Sequence, residues 1–199
     1  MKLISYTATR PGFQGLGSII VRLGTNSPFS HTEIVFEPGD GVDHLMPDGT
    51  TEPDADGALW CASATASDVM PVWSKRRQGR KGGVRFKRIV VGSNWFVQNI
   101  SHETCSPVGV AQFIKEEEGL AYDWKHIAGF LGPVFNLIFS HGAEKYTCSE
   151  ICAAAMGMPH AHRFQPGNLP AVIAWSQEVD PLLYQEQTAR LKSGPWKVW

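Results

Sequence analysis

The segment Tyr146-Thr147-Cys148-Ser149-Glu150-Ile151-Cys152 holds the residues best placed for covalent chemistry. The pattern predicts a helix over Thr147–Met156, capped by Thr147 and stopped by Gly157 with Pro159 beyond. Cys148 then falls in the first turn, where unpaired N–H groups and the helix dipole favour a thiolate. By position alone it reads either as a nucleophile or as a buried structural cysteine. Cys152, one turn deeper and followed by Ala153-Ala154-Ala155, reads as a small core residue. A thiol nucleophile needs a neighbouring base. His31 follows Pro28-Phe29-Ser30 and opens the apolar run to Phe36, a predicted strand, so it can stand at the rim of a sheet. Taken alone, it reads first as a satisfied strand-end histidine and second as a base.

Two other chemistries are weaker. His141, Cys148, Cys152, His160 and His162 cluster in sequence, but neither Cys-x-x-Cys nor His-Glu-x-x-His is present, so no metal is expected. Gly12-Phe13-Gln14-Gly15-Leu16-Gly17 lacks the Gly-Lys-Ser/Thr ending of a phosphate loop, and no other cofactor is expected.

Four patches carry a resemblance. Ser30-His31-Thr32-Glu33-Ile34-Val35-Phe36 resembles the His-bearing strand of the circularly permuted papain-fold hydrolases. These are permuted relatives of the NlpC-type cell-wall peptidases, including YiiX-like amidases and, more distantly, the lecithin:retinol acyltransferase group. Tyr146-Thr147-Cys148-Ser149-Glu150-Ile151 is similar to their aromatic-led Cys-Ser-Glu helix start. Gly119-Leu120-Ala121-Tyr122-Asp123-Trp124 resembles the Gly-x-x-Tyr-Asp segment before it, and Phe164-Gln165-Pro166-Gly167-Asn168-Leu169 the Pro-led helix start after it. The patches follow the family's order and bracket residues 30 to 169.

The resemblance implies an α+β, permuted papain-like fold, an antiparallel sheet packed against the helix that carries the nucleophile. It implies Cys148 as nucleophile and His31 as base in a cysteine amidase or peptidase, with a peptide or peptidoglycan fragment as substrate. A lipid acyl hydrolase or acyltransferase with the same Cys-His chemistry is the first alternative, and a non-catalytic binding or structural protein the second. A third group usually orients the histidine in such sites. In the family it tends to come from the strand after the His strand, here Leu59–Thr65, where Cys61, Ser63 and Thr65 share a face but no acid or amide stands. Glu33 lies two residues from His31 on the same strand face. Ser63 and Glu33 are therefore the candidates, with a backbone carbonyl or a water as the alternative; Asp43 and His44, in an acidic loop, are weaker.

The remaining elements must position these groups. Lys2–Thr9 reads as a strand, Gly15–Leu23 as a short helix, and Glu37–Gly57, rich in Gly, Pro and acidic residues, as a surface loop. Val84–Val91 reads as a strand with Val84, Phe86 and Arg88 on one face, after a turn at Gly79–Gly83. The Lys/Arg-dense run Lys75–Arg88 reads as a solvated hairpin, or as a patch for an anion. Val108–Glu118, Ile127–Phe139 and Leu169–Ser176 read as helices, the second broken near Pro133, and the tail is irregular from about residue 177. The charged flanks of Glu37–Gly57 and Lys75–Arg88 predict a polar-walled groove leading to Cys148.

The chain has 199 residues, 43% of them apolar, with 18 Lys and Arg against 19 Asp and Glu. That supports one globular domain spanning the chain without metal or disulfide staples and excludes a disordered one. A net charge of -1 argues against a broad nucleic-acid face. Ile127–Phe139, the longest apolar stretch, falls short of the ~20 residues needed to span a bilayer, though surface contact with a membrane is conceivable. The first residues turn polar too soon for a secretion segment, so a cytoplasmic location is expected.

Overall fold

The computed structural model describes residues 1–9, 13–123 and 145–178. The chain begins with β1 (Lys2–Tyr6), α1 (Phe13–Thr25) and β2 (His31–Val35), then β3 (Leu59–Val69), β4 (Lys81–Ile89) and β5 (Trp95–Asn99). It continues with α2 (Pro107–Glu117), the two-residue strands β6 (Ala121–Tyr122) and β7 (Lys145–Tyr146), α3 (Cys148–Ala155) and α4 (Leu169–Glu178). The first five strands form one antiparallel sheet in the order β4-β3-β2-β1-β5. The architecture is α+β, as expected. The helix expected over Ile127–Phe139 and the irregular tail lie outside the described residues, apart from the start of the tail, where α4 runs on to Glu178.

Alternation explains how the sheet buries one face. Leu3, Ile34, Ala62 and Phe86 are register partners across four strands, and all sit in the main core with Ile151, Cys152 and Ala153 of α3. Ile4, Val35 and Cys61, one residue out of phase, form a smaller cluster on the opposite face. Full burial of a side chain such as Ile151 contributes about 1.5–3 kcal/mol, enough to seat an eight-residue helix that is marginal alone.

Two features bring the chain to the site. At the β4 edge, Val84 N–H donates to the Leu120 carbonyl at 3.0 Å and Gly119 N–H to the Val84 carbonyl at 2.9 Å. A Cβ on Gly83 would stand 2.7 Å from the Leu120 oxygen, so glycine permits this close approach. β6 then pairs in parallel with β7, one residue before the cap of α3. Secondly, the β2–β3 ladder holds only Ile34↔Ala62 and Val35↔Cys61, whereas β1–β2 pairs five residues. Upstream of Ile34 the two strands separate, and side chains meet in the gap.

β5 was not legible as a strand in the sequence, yet it pairs with β1 along its whole length and forms an edge of the sheet. β3 runs on to Val69 through an irregular register after Thr65, which carries Asp68 beside β4.

Candidate active site

Thr147 is the N-cap of α3, and the Glu150 carboxylate accepts Thr147 N–H at 3.2 Å. Cys148 is the first helical residue and Ser149 is fixed by donating to the Phe164 carbonyl at 2.7 Å. The helix packs on β2 and β3, which places the Cys148 sulfur against the start of β2. There the thiol and the His31 imidazole are close enough for each to shift the other's titration. His31 Nε2 lies 2.9 Å from Glu33 Oε1. An ionised Glu33 only accepts, so Nε2 carries the proton and Nδ1 is the basic nitrogen left for the thiol.

Thr32 lines the other side of the sulfur. Its N–H favours the ionised sulfur, whereas its buried hydroxyl has no hydrogen-bond partner among the described residues. Its carbonyl, released from the β2–β3 ladder, accepts the Ser63 hydroxyl at 2.6 Å and the Cys152 thiol at 3.8 Å. The gap in the sheet is thus closed by side chains. Trp95 stands beside His31 with ring centroids 6.4 Å apart and meets Tyr6 edge-on at 4.9 Å.

Burial opposes charge on every group here, so the partners decide. Burial alone would raise the Cys148 pKa; the imidazolium of His31 and the Thr32 N–H outweigh it and bring it below its ordinary value. Burial alone would lower the His31 pKa, but the thiolate of Cys148 and the carboxylate of Glu33 lift it to about 9. The two shifts, thiol down and imidazole up, both favour a thiolate–imidazolium pair. Glu33 is fully buried, yet Arg85 and His31 hold its carboxyl well below the usual carboxylate range. Cys152 and Cys61 are pushed well above the ordinary thiol value, first by burial and then by nearby negative charge.

A chain of ion pairs continues behind Glu33. Arg85 Nη1 and Nη2 grip its two oxygens at 3.0 and 3.1 Å, and Arg85 Nε and Nη2 also reach Asp68 Oδ2 at 3.1 and 3.0 Å. Lys87 meets the same Asp68 oxygen at 3.3 Å.

The structure therefore brings Cys148, His31 and Glu33 together. Ser63 is buried on β3, but its hydroxyl donates to the Thr32 and Ala64 carbonyls rather than facing the imidazole. Of the two candidates for the orienting role, Glu33 is the one bonded to His31. Asp43 is engaged elsewhere, accepting Thr51 N–H and the Thr51 hydroxyl at 2.7 Å. Cys148 is 2% exposed and the His31 side chain 12%, so both groups sit below the surface. The sequence reading missed Thr32, Arg85, Asp68 and Trp95. Among the described residues no group of three or more His, Cys, Asp or Glu is arranged to hold a metal ion, and His141 lies outside them. No helix among the described residues is long and apolar enough to cross a membrane.

Comparison with protein-family models, with curated proteins and with solved structures finds no match for this chain.

Proposed function

We propose that the protein is a cysteine hydrolase of permuted papain-like architecture that cleaves an amide bond through a thioacyl-enzyme. One observation carries the reading: a single imidazole bonded to a buried carboxylate also stands beside a thiol at a helix start, and the two shift each other's titration. The Cys148 thiolate attacks the amide carbonyl carbon, and the carbonyl electron pair moves onto oxygen. Backbone N–H groups in the first turn of α3, which have no intrahelical acceptor, face the developing oxyanion. His31, protonated at Nδ1, gives that proton to the departing amine as the tetrahedral adduct collapses to a thioester. The neutral imidazole then takes a proton from water as hydroxide adds to the thioester; collapse of that adduct releases the acid and expels the Cys148 thiolate, and the proton kept on His31 restores the ion pair. Glu33 keeps Nε2–H fixed and offsets the charge on the ring throughout.

The substrate class favoured by the resemblance is a peptide or peptidoglycan-stem amide. All four cysteines are unpaired thiols, in keeping with a reducing, cytoplasmic setting. The test is a parallel screen of short peptides, muropeptides, phospholipids and acyl esters, with Cys148→Ala as the blank. Amide turnover that vanishes in Cys148→Ala and in His31→Ala is the expected result. Turnover confined to lipid or ester substrates overturns the amide choice, and turnover that survives Cys148→Ala overturns the whole mechanism.

A further inference from the structure

Arg85 belongs to a run, Lys75–Arg88, that reads from sequence as a solvated basic hairpin, yet it is 3% exposed. It sits on β4 opposite Ser63 of β3, and its guanidinium faces Glu33, 52 residues earlier in the chain. Both Glu33 oxygens are taken by it, and Oε1 is also the atom that meets His31 Nε2. The rotation of the Glu33 carboxylate, and with it the plane in which His31 is held, is therefore set from β4. Asp68 fixes the guanidinium in turn through two of its nitrogens, and Lys87 neutralises the outer side of Asp68.

We infer that Arg85, clamped by Asp68, is a positioning residue of the proposed active site, holding Glu33 as an oriented, ionised support for His31. The role rests on the hydrolase reading given above. Signs alternate along the chain: Asp68 negative, Arg85 positive, Glu33 negative, His31 positive, Cys148 negative. Removing the second member leaves a buried carboxylate beside a buried thiolate with one imidazolium between them. Glu33 then binds a proton, Nε2–H loses its charged acceptor, and the imidazolium loses its support. The other titratable groups facing this chain are few. Cys61 of β3 and Cys152 of α3 feel the Glu33 charge and stay as neutral thiols, and Tyr6 of β1 is the register partner of His31. None of them can replace the guanidinium. A lysine can supply the charge but not the planar, two-pronged grip.

The test follows the full-length Arg85→Gln, Arg85→Lys and Asp68→Asn chains by two readouts that need no substrate: the His31 imidazole titration by NMR and the ultraviolet absorbance of the Cys148 thiolate. In Arg85→Gln the His31 midpoint falls by at least about one pH unit, equivalent to a ~10-fold loss in proton affinity, and the thiolate signal at neutral pH shrinks. Arg85→Lys recovers part of both. On a hydrolysed substrate, Arg85→Gln lowers kcat with little change in KM, because Arg85 touches no substrate. A folded Arg85→Gln chain with the wild-type midpoint and thiolate signal overturns the inference. If Arg85→Gln does not fold, Asp68→Asn, at the half-open end of the chain, decides: a smaller downward shift of the His31 midpoint supports it and an unchanged midpoint overturns it. A wild-type chain that shows the titration pattern but hydrolyses nothing sinks the hydrolase reading while leaving the Arg85–Glu33–His31 coupling in place.

Discussion

Cys148 and Cys152 occupy successive turns of one short helix, both almost fully buried and both against the same residue of β2. Their thiols are nevertheless driven in opposite directions. Cys148 meets the His31 imidazolium and the Thr32 N–H, and its ionised form is favoured. Cys152 donates its proton to the Thr32 carbonyl, and burial with the negative charges of Cys148 and Glu33 holds it neutral despite the nearby hydroxyls. Residue type, helix and burial are the same. What differs is the charge each sulfur meets: the His31 imidazolium for Cys148, the Glu33 carboxylate and the Cys148 thiolate for Cys152. Burial by itself makes an inert thiol, and only burial against a cation makes a nucleophile.

The sharpest break between the two is substitution. Cys148→Ala is expected to abolish hydrolysis, whereas Cys152→Ala leaves it within about threefold and costs stability of about 1 kcal/mol. Matched assays and denaturant melts of both variants check this. Next in size is Glu33→Gln, which keeps the shape but removes the charge behind His31. We expect kcat to fall by roughly 10²–10⁴-fold, and stability by about 3–5 kcal/mol, because Arg85 loses its main buried counter-ion. A variant that keeps full activity would mean that Glu33 is packing alone.

The pH dependence follows from the same contacts. The His31 pKa is raised to about 9, so its contribution to stability is fully present below the ordinary 6.5 and is lost as pH rises through about 9. Cys148 is shifted the other way, so its contribution is present above the ordinary 9.0 and is lost as pH falls through its lowered pKa. The ion pair therefore persists between the Cys148 transition and about 9, and kcat/KM should hold a plateau over that window and fall on its alkaline side near 9. A profile that instead begins its alkaline fall near 6.5 would show an unsupported imidazole.

Much of this contrast was readable in the chain, and the parts that were not share a cause. The cap Thr147, the helix after it and its stop at Gly157 are local signals, and they put Cys148 and Cys152 where the structure has them. The strand opening at His31 and the two-residue step to Glu33 are local too. Arg85 and Asp68 were illegible as site residues because their meaning lies in pairings 52 and 17 residues away in sequence. A run of basic residues gives no sign of which one turns inward. Thr32 was passed over because its role depends on a ladder that stops at Ile34, a fact of strand pairing rather than of composition. Trp95-Phe96-Val97 carried strand-forming residues without clear alternation, and only its pairing with β1 makes it β5.

The smallest effect concerns Glu150, whose carboxyl contrasts with that of Glu33. Both are buried, but burial and the Asp123 charge outweigh the Thr147 N–H bond and lift Glu150 to about 7. The folded chain holds this proton more tightly than the unfolded one, so stability should fall as pH rises from the ordinary 4.5 through about 7. Glu150→Gln keeps an acceptor for Thr147 N–H and should flatten that fall, raising stability near pH 8 by about 1–3 kcal/mol. Melting curves of the two chains at acidic and alkaline pH would show it.

The central claim, a standing ion pair between Cys148 and His31, is tested most directly by ultraviolet thiolate absorbance across pH, wild type minus Cys148→Ser. The account predicts a Cys148 thiolate whose transition lies below the ordinary 9.0 and moves back up when His31 is replaced by alanine. A sulfur that titrates near 9.0 in the wild type, unmoved by His31→Ala, would contradict it.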